Sequence, residues 1–231
     1  MASKDIDIRD PLYGFIEFPS SISPILSTLP LIRLTRIKQL AHTYLVYPSA
    51  VHTRFEHSLG TYHIAGLMAH KLDFKKEEVE NIQLAALLHD IGHGPYSHPF
   101  EDVMRYITGD ENFSHERVSE IVIENEPSLK KVLSNKRRKR ILEIYNEQSL
   151  ASDIISGSLD ADKLDYLRRD SYHTGVSYGI FDFERIIRTL TKIGREGREY
   201  LAIVRKACTH WKDIDLPDIQ CTLKFMSIKQ D

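Results

Sequence analysis

The stretch LLHDIGHGPYSH, residues 87–98, places His89 and Asp90 side by side at the end of an apolar segment. From residue 77 to residue 88 apolar side chains recur at helical spacing, which predicts a buried helix that ends at this pair. Two glycines follow, and glycine both ends helices and lets the backbone approach a ligand closely. An imidazole and a carboxylate at the end of a buried helix need polar partners. The stretch therefore predicts a mainly helical core with a polar site at one helix end.

Two kinds of partner would satisfy His89 and Asp90. A divalent cation binds both groups at once, and a nitrogen with a carboxylate oxygen suits Zn, Fe, Mn or Ni better than Mg, which prefers oxygen ligands. The alternative is a histidine that hydrogen-bonds to its neighbouring aspartate at a helix terminus, without a metal. The pair alone leaves both interpretations open.

Two further segments combine ionisable side chains with apolar helical patterns. The segment HTRFEHSLG, residues 52–60, brings His57 to the start of an apolar helix that we expect to continue to residue 72. The segment SLDADKLDYLRRD, residues 158–170, carries four aspartates among apolar residues. These segments lie far apart in sequence, as do the ligands of a site assembled by packed helices.

Together the three segments, read as H…HD…D with the flanks FEHSLG, HDIGHGPYSH and DADKLDY, resemble the HD-domain superfamily. Within it they are similar to the deoxynucleotide triphosphohydrolase branch, over residues 10–206. The resemblance implies a mainly α fold, a helical bundle with a few short β-strands, and one divalent metal ion: Mn, Fe, Ni, Zn, Co or Mg. It implies His57, His89, Asp90 and Asp162 as the metal ligands. Four protein ligands leave positions for water and a phosphate oxygen, as in catalytic sites.

The resemblance also implies roles for residues around the metal. His93, His98 and His115 are similar to family histidines near the phosphates, one of which is proposed to transfer a proton. Glu101 and Glu116 match acidic positions that orient such a histidine. The implied substrate contacts are Arg54 and Lys163 for the phosphates, and Gln39, Tyr166 and Asp170 for the deoxyribose.

Several of these residues also have an ordinary structural interpretation. A charged residue on a helix often pairs with an opposite charge three or four positions away. The alternatives are an exposed ion pair of Arg54 with Glu56, a core position for Tyr166, and a helix-face pair of Asp165 with Arg168 or Arg169.

Composition and length are compatible with this fold and add little to it. The 231 residues are enough for one sizeable core, and a net charge of −2 gives no global attraction to nucleic acid or anionic membranes. The basic stretch at residues 130–140 is explained by a solvated charged face, and contact with RNA or an effector is the alternative. No apolar run reaches the length of a membrane span, and residues 1–10 lack a signal-peptide core. We therefore expect a cytoplasmic protein without a membrane partner.

Four further elements are predicted from local patterns. Residues 15–18 are expected to form a short strand and residues 29–39 a helix. Residues 182–193 follow a glycine-containing loop and are expected to form another helix. Residues 198–204 are expected to form a strand that pairs with a short partner nearby.

The segment from 207 to 231 differs from the core at 1–206. It holds both cysteines and the single tryptophan, and it shows neither an amphipathic period nor the C-terminal helices that the resemblance implies. Back-translation with single-base shifts yields a family-like helix, so we hypothesise a frameshifted tail that truncates those helices. Because the implied metal ligands all precede residue 170, we expect metal binding to persist and nucleotide turnover to be weakened.

The expected function is metal-dependent hydrolysis of nucleotides, most simply of a dNTP to deoxynucleoside and triphosphate. One alternative is a nucleoside monophosphatase. The other is a catalytically weak HD protein that binds nucleotides or nucleic acid. The expected partners are the nucleotide substrate and further copies of the chain in a dimer or tetramer.

Overall fold

A computed structural model of the protein describes residues 4–204, and helices dominate this part of the chain. A hairpin comes first, in which β1 (Ile6–Asp10) pairs antiparallel with β2 (Gly14–Phe18). A second antiparallel hairpin, β3 (Leu190–Arg195) with β4 (Arg198–Ile203), comes last. The helices between them are α1 (Leu29–Arg33), α2 (Arg54–Lys71), α3 (Lys76–Leu88), α4 (His98–Thr108), α5 (His115–Asn125), α6 (Pro127–Val132), α7 (Asn135–Asn146), α8 (Leu150–Ser156), α9 (Ala161–Thr174) and α10 (Phe183–Thr189). The predicted mainly helical fold with short strands is confirmed.

Helix α2 lies at the centre of the bundle, where it packs against α3 and α9 and also contacts α8 and α10. Its start is fixed by a capping box, in which the Thr53 side chain accepts from the backbone of Glu56 and the Glu56 carboxylate accepts from the Thr53 N–H at 2.7 Å. Ile64, Ala65 and Met68 on this helix have no exposed surface. A helix buried on several sides is held by packing, and its position in turn fixes that of its neighbours.

Helix α3 has almost the predicted bounds and buries the apolar residues that predicted it. Glu77 and Glu78 lie in its first turn, where carboxylates interact favourably with the helix dipole. A short connection at 72–75 joins α2 to α3, so the two helices run antiparallel. The beginning of α2 therefore lies beside the end of α3, at His89 and Asp90.

The predicted helix over 29–39 is correct only in its first part. The α-helix ends at Arg33, one 3-10 turn continues to Arg36, and the chain then becomes extended. Its backbone pairs with the segment before α2, through Gln39 N–H to His52 O at 3.0 Å and Arg54 N–H to Ile37 O at 2.9 Å. This long-range pairing replaces the helical hydrogen bonds.

The predicted helix over 182–193 is wrong at its end, because α10 stops at Thr189 and β3 begins at Leu190. Thr191 and Ile193 are β-branched and favour the strand that β4 supplies with backbone partners. Glu196 and Gly197 both have positive φ angles, as the two central residues of a type I′ turn require. The predicted strands over 15–18 and 198–204 are both confirmed.

The basic stretch lies on α6 and α7, and several of its charges are paired with acidic residues of α3. Lys136 Nζ lies 2.7 Å from a carboxylate oxygen of Glu77, and Arg140 Nη2 lies 2.6 Å from one of Glu78. These ion pairs support the interpretation as a charged helix face. Of the helices in residues 4–204, none is long and apolar enough to cross a membrane. The segment 207–231 lies outside the described residues.

Candidate metal centre

Three helices bring the four predicted metal ligands together. His57 lies in the first turns of α2, His89 and Asp90 follow α3, and Asp162 lies in the first turn of α9. One ligand atom each from His57, His89 and Asp90 lie within 4.8 Å of one another. Asp162 Oδ1 lies 3.0 Å from His57 Nε2 and 3.8 Å from His89 Nε2. Residues more than 100 positions apart in sequence thus form one cluster of two imidazoles and two carboxylates.

Both histidines are held through Nδ1 so that Nε2 faces the cluster. His57 Nδ1 lies 2.7 Å from the Asp165 carboxylate, and His89 Nδ1 lies 2.7 Å from the carbonyl oxygen of Ala86. A backbone carbonyl and an ionised carboxylate only accept hydrogen bonds, so Nδ1 carries the proton in each ring. Within residues 4–204 the buried Nε2 atoms of both rings have no hydrogen-bond partner. Such an oriented nitrogen lone pair is what a metal ligand requires.

The charges of the cluster also suit a cation. Burial raises the pKa of Asp90, but Arg54 and His89 outweigh it and hold that pKa well below its usual range. Burial likewise opposes ionisation of Asp162, whose pKa is lowered by its contacts with His57 and His89. Burial lowers the pKa of His57, yet Asp162 and Asp165 raise it to about 10 in the absence of a metal. Two ionised carboxylates and two inward-facing nitrogens therefore fit a divalent ion. Without the ion, a proton on His57 supplies part of the positive charge.

Arg54 is buried beside this cluster and does not form the alternative surface pair with Glu56. Its Nη1 donates to Asp90 Oδ2, and its Nε donates to Ser97 Oγ at 2.9 Å. Ser97 has a φ of 57°, and its hydroxyl also donates to the Lys38 carbonyl at 3.1 Å. The strained loop after α3 thus helps to hold the Arg54 guanidinium against a predicted metal ligand.

The predicted catalytic histidines form a second cluster, arranged around Glu101. Glu101 Oε1 lies 2.8 Å from His115 Nδ1, 3.1 Å from His98 Nδ1 and 3.8 Å from His93 Nδ1. The rings of His93 and His115 stack with centroids 3.7 Å apart. Glu116, mostly exposed, places a carboxylate oxygen 3.5 Å from His115 Nε2. All the predicted catalytic residues therefore lie together.

Asp90 joins the two clusters through its second oxygen. Its Oδ1 lies 3.3 Å from His89 Nε2, 3.4 Å from His93 Nε2 and 4.0 Å from His115 Nε2. Burial lowers the pKa of His93 to about 4, although Asp90 acts in the opposite direction. His93 is therefore a neutral imidazole at physiological pH, next to the predicted metal ligands.

The predicted substrate residues differ in how free they are to reach a ligand. Lys163 is partly exposed, and its Nζ donates to the Gly157 carbonyl at 2.9 Å and to Asp160 Oδ2 at 2.7 Å. Tyr166 is half-buried and not a core aromatic, and burial together with Asp162 raises its pKa to about 12. Its hydroxyl is therefore a protonated donor near the cluster.

Gln39 and Asp170 both contact His52, which the sequence did not single out. Gln39 N–H donates to the His52 carbonyl, and Asp170 Oδ1 lies 2.7 Å from His52 Nε2. His52 is buried, and its ring stacks on His173 with centroids 4.3 Å apart. The structure thus brings the two predicted sugar contacts to one place through a third residue.

The cluster opens to solvent on the side of Asp162. The Asp162 side chain is 36% exposed, whereas those of His57 and Asp90 are 1% and 4% exposed. The first turn of α9 carries Asp162, so the N-terminus of this helix lies at the opening, whereas the first turns of α4 and α5 carry His98 and His115 of the second cluster. Unpaired N–H groups at helix N-termini attract anions.

Sequence reasoning missed the role of Asp165. Its carboxylate is fully buried, and it accepts from Arg169 Nε and Nη2, both at 2.9 Å, and from the Tyr13 hydroxyl at 2.8 Å, besides holding His57. The helix-face pair with Arg169 is therefore real but lies in the interior. Gly60 was a signal, since a glycine within a helix often marks close packing.

The chain is similar in sequence to a known family and to known proteins. The sequence profile of the HD domain matches residues 54–170. The uncharacterized protein MJ1154 of Methanocaldococcus jannaschii is 42% identical over 86% of this chain and 41% of its own length. Human deoxynucleoside triphosphate triphosphohydrolase SAMHD1 is 33% identical over 78% of this chain and 35% of its own length.

A solved structure is similar as well. The crystal structure of the phosphohydrolase BT4208 from Bacteroides thetaiotaomicron matches 87% of this chain and 50% of its own, with a TM-score of 0.74 and 38% identity. The chain therefore spans between about a third and a half of the length of these three proteins. The profile match covers half of the sequence and includes all four clustered ligands. By sequence and by structure, this chain belongs to the HD domain family.

Proposed function

We propose that the protein is a metal-dependent phosphohydrolase that cleaves a dNTP to deoxynucleoside and triphosphate. The observation that carries the proposal is the convergence of two buried Nε2 atoms, fixed from behind through Nδ1, on two carboxylates. In this proposal His57, His89, Asp90 and Asp162 hold one divalent ion. Mn, Fe, Ni, Zn, Co and Mg are the candidates, and the two nitrogens favour a transition metal over Mg.

The bound ion would neutralise phosphate charge and lower the pKa of a coordinated water. Hydrolysis adds a water molecule to the α-phosphorus, breaks the bond to the 5′-oxygen, and moves one proton of the water to that oxygen. The histidines around Glu101 supply proton-transfer groups, since His98 and His115 both direct Nδ1 at its carboxylate. His98 is the most exposed of the three and so the easiest for a substrate to reach. Glu116 orients His115.

Cationic side chains and helix N-termini support an anionic substrate. Lys163 is the more accessible of the two predicted phosphate contacts, since its side chain is 29% exposed and that of Arg54 only 5%. We propose that Lys163 exchanges its bond with the Gly157 carbonyl for a phosphate oxygen. Arg54 would contact phosphate from its fixed position beside Asp90 and Ser97.

The deoxyribose contacts are proposed as Gln39, Tyr166 and Asp170. Asp170 accepts from a buried histidine and so keeps a fixed orientation, which suits recognition of a sugar hydroxyl. The Gln39 side-chain oxygen is buried without a hydrogen-bond partner in residues 4–204, so it is free to accept one from a ligand. The similarity to SAMHD1 triphosphohydrolases favours a dNTP over other nucleotides.

The test is product analysis with purified protein. The protein is incubated with Mn, Mg, Co or Ni and each dNTP, and deoxynucleoside, triphosphate and inorganic phosphate are separated by chromatography. His89→Ala should abolish turnover, whereas His70→Ala, an exposed histidine at the end of α2, should not change it. Deoxynucleoside with intact triphosphate supports the proposal. Release of inorganic phosphate would indicate a phosphatase, and no product with any metal would indicate a binding protein.

A further inference from the structure

Behind His57, on the side away from the metal cluster, lies a buried chain of charged groups. Asp165 holds His57, Arg169 holds Asp165 through two hydrogen bonds, and Arg169 Nη1 lies 3.0 Å from Asp10 Oδ2. The side chains of Asp165, Arg169 and Asp10 are at most 3% exposed. Buried charges are costly unless they are paired and fully hydrogen-bonded, so this arrangement needs a reason.

The Asp165 carboxylate has its accepting capacity filled. It receives two N–H groups from Arg169, the hydroxyl of Tyr13 and the Nδ1–H of His57, which are about the four donors that a carboxylate can take. Because Arg169, Tyr13 and His57 contact the Asp165 carboxylate from three directions, the carboxylate cannot follow a rotation of the His57 ring. The imidazole is therefore oriented by the protein interior before any ion binds.

The helices are built to permit this contact. A Cβ atom at Gly60 would lie 1.9 Å from Asp165 Oδ1 and 2.5 Å from Arg169 Nη2. The backbone of α2 thus packs directly on the ion pair of α9, one turn away from His57. Two aspartates around one arginine leave one net negative charge, which makes the hydrogen-bonded imidazole a stronger donor to a metal.

We propose that Asp165, fixed by Arg169, Asp10 and Tyr13, is a positioning residue that sets the tautomer, orientation and basicity of His57 as a metal ligand. The inference rests on the proposed metal site. The expected effect is on metal affinity, and turnover changes only as a consequence of that affinity. Asparagine in place of Asp165 offers one acceptor oxygen where four donors converge. Its NH₂ group, which is a donor, can then face the Nδ1–H of His57.

The test compares Asp165→Asn with Asp153→Asn, a matched control that weakens a half-buried pair with Arg198 between α8 and β4. Affinity for Co²⁺ is measured by competition with a chelator, and the tautomer of His57 by two-bond ¹H–¹⁵N spectra of the zinc-loaded, ¹⁵N-histidine-labelled protein. Asp165→Asn should lose about 10-fold to 100-fold in affinity and alter the His57 signals. Asp153→Asn should retain both parental properties.

Tyr13→Phe provides a milder variant in case Asp165→Asn does not fold. It removes one of the four hydrogen bonds and should lower Co²⁺ affinity by less than about tenfold, with a shifted His57 Nδ1 signal. Parental affinity and signals in Asp165→Asn, or in Tyr13→Phe if the former does not fold, overturn the inference. An equal loss in Asp165→Asn and Asp153→Asn also overturns it, because reduced stability would then be the cause.

Failure of the proposed function gives a different result. A parent protein that loses Co²⁺ affinity on His57→Ala but hydrolyses no dNTP refutes the function and leaves the role of Asp165 standing. A parent whose Co²⁺ affinity does not change on His57→Ala overturns the inference itself.

Discussion

Replacement of Gly60 by alanine is a direct test of the packing between α2 and α9. The added methyl group would lie 1.9 Å from a carboxylate oxygen of Asp165 and 2.5 Å from a guanidinium nitrogen of Arg169. Neither group has room to move, because both are buried and hydrogen-bonded to each other. The substitution must therefore separate the helices or break the ion pair.

The expected free energy change follows from three contributions. Overpacking of a buried site costs about 1–3 kcal/mol. Disruption of a buried ion pair costs about 3–5 kcal/mol when one partner is left unpaired. Alanine favours a helix interior over glycine by about 1 kcal/mol. We predict that Gly60→Ala lowers the free energy of unfolding by about 3 kcal/mol or more, and that it also lowers metal affinity because Asp165 moves.

Gly66→Ala is the matched control on the same helix. Its added Cβ would lie 2.4 Å from the side-chain amide nitrogen of Gln83, the far end of a flexible side chain that can move. It carries the same gain in helix propensity, so urea unfolding should place it within about 1 kcal/mol of the parent. If Gly60→Ala proves as stable as Gly66→Ala, Gly60 does not pack against Asp165 and Arg169, and this prediction is refuted.

Three further predictions concern the metal and the substrate. The pKa of His57 is raised to about 10 without a cation, and the pKa of His89 is raised as well, so metal binding must displace at least one proton at neutral pH. Affinity measured by chelator competition should therefore be at least about 100-fold lower at pH 6.5 than at pH 8.5, and equal affinities would contradict this. Asp162→Asn should lose both the metal, measured by elemental analysis, and turnover. Glu101→Gln should keep the metal and lose turnover alone. Metal loss in both variants would show that the two clusters are not separate in function. Restoring the family-like reading frame over 207–231 should leave metal content unchanged and raise dNTP hydrolysis, and equal hydrolysis by both proteins would refute the expectation that this tail weakens turnover.

The sequence predicted that the four proposed ligands lie together, because each of them lies within a short motif. His89 and Asp90 are adjacent, and the apolar pattern before them places both at the end of a helix. The pattern over 182–193 was misleading, because the partner strand β4 decides its last four residues. Local patterns thus located α3 correctly, whereas pairing with distant segments set the end of α10.

The groups that orient the ligands were beyond local inference. Asp165 was expected to pair with Arg168 or Arg169, and the pair with Arg169 exists, but the contact with His57 joins residues 108 positions apart. Arg54 was expected near phosphate or on the surface, and its burial beside Asp90 depends on how α2 meets the loop after α3. Both contacts depend on which helices are neighbours, which no spacing within one segment records.

The two clusters share one carboxylate, and this limits how they can act. Asp90 directs Oδ2 toward Arg54 and His57, and Oδ1 toward His89, His93 and His115. An ion that draws charge from Asp90 also weakens the attraction of this carboxylate for a proton on His93. Metal binding and the proton affinity of His93 are therefore coupled through a single side chain. A substitution of Asp90 should therefore affect both clusters at once. Asp162 contacts the first cluster and Glu101 the second, so substitutions of these two residues can distinguish metal binding from proton transfer.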